Sequence, residues 1–216
     1  MAFIRSTFYF ILLFFGSCSE TPNVEKVPIA KRVVPSQSLL SQKTNEKKKL
    51  SEYEFFKSPI AELIPNVNVY SYDVNTPLFS DYASKKRFVF LPKDSQMEFS
   101  QIENTLLFET GSILIKNFYY PISKNEERII ETRLLIKEKE GWKPLNYIWN
   151  TEQTDASLNY IGADIEVEWM NSHEEIQKVN YSVPNQNQCK NCHISGSEIT
   201  TIGLTVSQLN RKNSLL

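Results

Sequence analysis

The residues with the most chemistry in their type and spacing are Cys189, Lys190, Asn191, Cys192 and His193. Two thiols stand three positions apart and an imidazole follows the second directly. This C-x-x-C-H order is the pattern by which a c-type haem is attached. The two thiols must reach the two vinyl groups on one porphyrin edge, and the two intervening residues set their separation. The imidazole then lies under the ring, where it ligates iron as the proximal ligand. The chain has only 3 Cys and 2 His in 216 residues, so chance offers few opportunities for the pattern. A redox C-x-x-C is one alternative, but it belongs between a strand and a helix of a βαβ unit, and none is visible upstream of Cys189. Half of a zinc site is another, but such a site wants four ligands and no second Cys pair exists. The expectation is one covalent haem c, with Cys189 and Cys192 as thioether anchors and His193 as the iron ligand.

That chemistry requires a particular compartment, and the N-terminus supplies an address for it. Arg5 forms a short basic region, Phe8 to Phe15 is an uncharged apolar run, and Gly16, Ser17 and Cys18 follow. The run is shorter than the roughly 20 residues of a membrane span, so it reads as an export signal. Small residues directly before a cysteine resemble a bacterial lipobox, with Cys18 as the lipid attachment point. Phe15 stands where Leu is more usual, which leaves an ordinary cleaved signal with an incidental Cys18 as the alternative. The cysteine count then closes, with one for lipid, two for haem and none for a disulfide. The location expected is the bacterial cell envelope, facing the periplasm or the cell surface, with the membrane as partner through the lipid anchor and a redox protein as the second partner. A net charge of −1, from 24 basic and 25 acidic residues, gives no support for nucleic-acid binding.

Four segments are expected: a signal over 1–18, a flexible tether over 19–50, a β-rich domain over 51–183 and a haem-attachment segment over 184–216. The tether is rich in Lys, Ser, Gln, Asn and Pro and cannot bury enough apolar surface to offset its ordering entropy. Ser51-Glu52-Tyr53-Glu54 has the S-x-x-E form of a helix start, with Ser51 as cap. Strands are expected at Lys86 to Leu91, at Ile113 to Tyr119 ending before Pro121, at Arg128 to Lys137, at Trp142 to Trp149, at Asp164 to Trp169 and at Val179 to Val183. Alternation puts Ile130, Thr132, Leu134 and Ile136 on one face, Leu145, Tyr147 and Trp149 on another, and Ile165, Val167 and Trp169 on a third. The fold class is mainly β (α+β), an antiparallel sandwich or barrel with short helices and a C-terminal haem-attachment loop. Trp142, Tyr147, Trp149 and Trp169 read as core, and Glu152 and Asp155 as part of a solvated turn rather than an acid–base pair. Pro184 to Gln188 suits a loop that caps a following helix. Thr205 to Arg211 suits one short helix.

Several ordered segments carry a family resemblance. They are Tyr72 to Ala83, Lys86 to Val89, Leu91-Pro92, Gly111 to Tyr120, Ile130 to Leu135, Tyr147 to Asn150, Glu152 to Ala156, and Val183 to His193. Together they resemble an uncharacterised family of exported bacterial di-haem c-type cytochrome proteins, of which this chain looks like a shortened, single-motif member. Gly111 to Tyr120 alone has a weaker likeness to the β-rich cytochrome P-460 proteins. The resemblance implies electron transfer through the haem, or, in the second likeness, a five-coordinate haem enzyme acting on peroxide or a small molecule. A truncated, non-enzymatic surface β module is the third reading. Family members carry further sequence, often with a second motif, whereas Ile194 to Leu216 contains neither Met nor His. A sixth iron ligand must then come from Met97, Met170 or His173, from a partner, from water, or not at all.

Overall fold

The computed structural model describes residues 46–196 and 198–211. Ten strands form its main body: β1 (Val69–Tyr72), β2 (Ser84–Phe90), β3 (Met97–Ser100), β4 (Thr105–Phe108), β5 (Ile113–Ser123), β6 (Glu126–Glu138), β7 (Gly141–Trp149), β8 (Ala156–Asn159), β9 (Ala163–Met170) and β10 (Ile176–Val183). After them come helix α1 (Gln186–His193), a two-residue ribbon of β11 (Ile194–Ser195) and β12 (Glu198–Ile199), and helix α2 (Val206–Leu209). One antiparallel sheet has the order β1-β2-β5-β6-β7-β8, and its outer strands do not pair with each other. The architecture is therefore an open sandwich and not a closed barrel.

Each face of this sheet is covered by a different part of the chain. On one face, Leu50, Phe55, Phe56 and Leu63 pack against Val69, Phe88, Ile113, Ile115, Ile129, Leu134, Leu145, Tyr147 and Trp149. The opposite face carries two separate apolar clusters. The β9–β10 hairpin lays Val167, Tyr181 and Val183 on Phe118, Tyr120 and Ile130. At the other end, Phe108 and Leu204 cover Val89, Leu114 and Leu135. Because β5 and β6 are buried on both faces, they read as near-continuous apolar runs rather than as alternating ones.

A bulge decides which residues of β6 face where. Phe118 pairs with Glu131 but Tyr119 pairs with Ile129, so Ile130 has no partner across β5. An extra residue of this kind turns two consecutive side chains to the same side. Ile129 therefore joins Leu134 on the first face and Ile130 joins the hairpin cluster on the second. The expected stripe from Ile130 to Ile136 is corrected in this way. The other two stripes, Leu145-Tyr147-Trp149 and Ile165-Val167-Trp169, each share one face.

Order begins earlier than the composition of the tether suggests. Leu50 is buried in the core, and Tyr147 Oη donates to the Lys47 carbonyl at 2.8 Å. Leu50–Tyr53 is a 3-10 turn preceded by Lys49, with no side-chain cap. Ser51 instead gives its hydroxyl to Asp155 Oδ2 at 2.7 Å, so Asp155 is a structural clasp between two loops rather than a free turn residue. Strand β5 also runs past Pro121, because Pro121 opposes Glu127 at the end where the ladder is already irregular.

Candidate functional site

Helix α1 carries the whole pentapeptide, so the motif sits on a short helix and not in a loop. Asn185 caps it: the Asn185 side chain accepts from Gln188 N at 3.0 Å, and Gln188 Oε1 accepts from Asn185 N at 2.8 Å. This reciprocal pair satisfies two of the helix's otherwise unpaired donors. The approach to the helix is fixed from two directions. Asn146 Nδ2 on β7 donates to the Pro184 carbonyl at 3.3 Å. Gly162, at φ +82°, lies so close that an added Cβ would stand 2.6 Å from the Val183 carbonyl oxygen. Only glycine meets both demands at that position.

His193 is held at one ring nitrogen. Its Nδ1 lies 2.9 Å from the Thr200 carbonyl oxygen. A carbonyl only accepts, so Nδ1 carries the hydrogen and Nε2 is left with its lone pair. Burial pushes the imidazole below its ordinary pKa, outweighing the Thr200 bond, and the nearby positive Lys116 and Arg133 push the same way. His193 is therefore neutral at neutral pH, in the tautomer and state that a metal requires of a histidine ligand. Among the described residues the two thiols are unpaired, with Cys189 half-buried and Cys192 exposed. Burial raises the Cys189 pKa, and Arg133 compensates only in part.

These features bear on the alternative chemistries. A redox C-x-x-C needs a depressed first thiol, which Cys189 lacks. No three His, Cys, Asp or Glu side chains converge on one point among the described residues, so a zinc reading has no ligand set. Two thiols on one helix, followed by an imidazole whose Nδ1 is already engaged and whose Nε2 keeps its lone pair, do fit a covalently held haem. Cys189 and Cys192 would hold the porphyrin edge and His193 Nε2 the iron.

The sheet face beside α1 is charged, which the strand patterns alone did not reveal. Strand register places Arg87 opposite Lys116, Lys116 opposite Arg133, and Arg133 opposite Asn146. Glu131, fully buried, accepts from Tyr181 Oη at 2.5 Å, from Arg133 Nη2 at 2.5 Å and from Arg133 Nε at 3.0 Å, all at Oε1. Its Oε2 has no partner among the described residues. Burial, with Arg133, Arg87 and Lys85 nearby, pushes Lys116 down to about 8. Lys116, Glu131 and Arg133 each interrupt an apolar stretch with a charge, which was the available signal. Their convergence depended on the register of four strands.

The sixth-ligand candidates are not brought to the motif. Met170 and His173 belong to the closed end of the β9–β10 hairpin, where Glu174 pairs with Lys124 at 2.7 Å. Val183, next to α1, is at the open end, and seven strand steps separate the ends by roughly 24 Å. Met97 begins β3 and is exposed. Glu152 is exposed as well. An open groove of about 740 Å³ lies along the hairpin, lined by Tyr82, Trp169, Asn171, Ser172, Gln177, Lys178 and Val179, with no histidine or carboxylate among them to act as a base for Ser172. The expected signal, Cys18 and most of the tether lie outside the described residues. Among the described residues no helix is long and apolar enough to cross a membrane. No family model, curated protein or solved structure matches the chain.

Proposed function

We propose that this chain is an exported c-type haem protein that transfers electrons through a covalent haem held by its C-x-x-C-H motif, and that it is a relative of the di-haem cytochrome proteins it resembles. Cys189 and Cys192 hold the haem through thioether bonds, and His193 ligates its iron. Cys18 is the lipid attachment point, which keeps the domain at the membrane of the cell envelope near a redox partner protein. The observation that carries this reading is the bond from His193 Nδ1 to the Thr200 carbonyl at 2.9 Å. It supports the reading because it leaves Nε2 free for iron and fixes the ring plane. The haem supplies one-electron chemistry, while the protein sets its potential through the axial ligand, nearby charge and burial.

The placement of Met170 and His173 at the far end of the hairpin favours one second reading. An iron with no strong sixth ligand binds small molecules, and a five-coordinate haem enzyme acting on peroxide or a similar substrate follows from that.

The test is expression of the chain behind an export signal, together with the c-type haem maturation apparatus. Haem staining on a denaturing gel and a pyridine haemochrome spectrum should report one covalent haem, lost in Cys192→Ala. Absence of covalent haem from the wild type refutes the proposal and leaves a surface β module. With haem attached, a low-spin spectrum supports electron transfer, and high-spin iron that takes up carbon monoxide or cyanide without displacing a ligand supports the enzyme.

A further inference from the structure

The cationic row on the sheet face beside α1 is costly unless something anionic occupies it. Like charges directly opposite one another on adjacent strands are destabilising, yet Arg87, Lys116 and Arg133 stand in line across β2, β5 and β6. Lys85, half-buried on β2, faces the same side. Two carboxylates answer two of these four cations. Glu131 takes Arg133, and Asp73 takes Arg87 at 2.7 Å while also binding Arg211. Lys85 and Lys116 have no carboxylate partner among the described residues. Lys85 Nζ donates only to the Leu78 carbonyl, at 2.5 Å, and Lys116 lies 5.9 Å from the centre of the Phe118 ring. The row sits between the two apolar clusters of this face, and α1 lies over the neighbouring strand β7. The Arg133 guanidinium covers the Phe118 ring at 4.3 Å.

A porphyrin is an apolar disc with two carboxylate arms, and this face pairs apolar flanks with two lysines that no carboxylate contacts directly among the described residues. We propose that Lys116 and Lys85, backed by Arg87 and Arg133, are the seat of the two haem propionates. This deepens the haem reading and rests on it. Half-buried cations lose hydration, so anions delivered to them are held more strongly than at an exposed site. The seat also tunes the redox centre, because positive charge beside the propionates disfavours ferric iron.

The experiment uses the full chain with haem attached and compares the wild type with Lys116→Met, Lys85→Met, Lys116→Arg and the exposed control Lys57→Met. Resonance Raman propionate-bending bands and the midpoint potential are the readouts. Lys116→Met and Lys85→Met should each shift the bands and lower the potential, Lys116→Arg should restore both, and Lys57→Met should change neither. If Lys116→Met does not fold, Lys85→Met supplies the same two readouts. Haem-loaded Lys116→Met and Lys85→Met proteins with unchanged bands and potential overturn the seat while the haem reading stands. The seat also falls if millimolar phosphate or succinate shifts the wild-type bands as Lys116→Met does, because the row is then open to free anions. A wild type without covalent haem overturns the seat and the haem reading together.

Discussion

Replacing Arg133 by Met would test whether the charged face is held by the pairing described above. Glu131 is fully buried, and Oε1 takes every donor it has, two from Arg133 and one from Tyr181. The substitution removes the guanidinium and leaves the carboxylate with the Tyr181 hydroxyl alone. Removing one partner of a buried ion pair costs about 3–5 kcal/mol. The Arg133 side chain keeps 32% of its surface in solvent, which screens the pair, so the lower end, about 3 kcal/mol, applies. For a domain of this length that is a fall in Tm of roughly 6–12 °C. Urea denaturation followed by tryptophan fluorescence at neutral pH measures the loss directly. Glu131→Gln combined with Arg133→Met removes both charges and should recover most of the stability, since a buried pair taken out whole is often neutral. A loss below about 1 kcal/mol for Arg133→Met, or a double variant no more stable than the single one, refutes the reasoning.

Three further outcomes follow from individual contacts. Gly162→Ala must place a Cβ 2.6 Å from the Val183 carbonyl at φ +82°; it should cost at least about 2 kcal/mol, and thermal unfolding within 1 °C of the wild type would contradict that. Asn185→Ala removes the cap of α1 and should cost about 1 kcal/mol. Faster hydrogen exchange at Gln188 and Cys189 is its local signature, and unchanged exchange there counts against the capping box. Asp73 is burdened by burial, but the Val74 amide, Arg211 and Arg87 together hold its pKa below the ordinary 3.8. A depressed carboxylate contributes stability that is complete above the unfolded value and is lost as pH falls through the folded one. Exchange protection around α2 should therefore be flat above pH 4 and drop below it, and Asp73→Asn should reproduce the loss at neutral pH.

Much of the sheet was legible because strands announce themselves locally. The alternation of Ile165, Val167 and Trp169 and the β-branched run from Ile113 identify β9 and β5 without any tertiary information. Strands β1, β3, β4 and β8, of four residues each, are too short to carry a period. The bulge at Ile130 was hidden because it is a property of two strands together. Leu50 was hidden by its company, since a single apolar residue after three lysines does not alter the composition of a linker. In the candidate site, the pentapeptide was legible because its chemistry is written in contiguous residues. Thr200, Lys116 and Arg133 join it only through the ribbon after α1 and the register of the sheet.

The order of strands in the large sheet has a kinetic side. Every neighbour in β1-β2-β5-β6-β7-β8 is next in sequence except across the short β3–β4 insertion. Such a meander can zip from its N-terminal end by local steps, with modest loop closure at each one. The segment carrying Cys189, Cys192 and His193 leaves the ribosome after all of those strands and adheres to them through a handful of side-chain and backbone contacts. It adds no strand to the large sheet, so its local opening breaks none of that sheet's ladder. An enzyme acting on these two thiols would meet them on a helix whose opening leaves the large sheet's ladder paired.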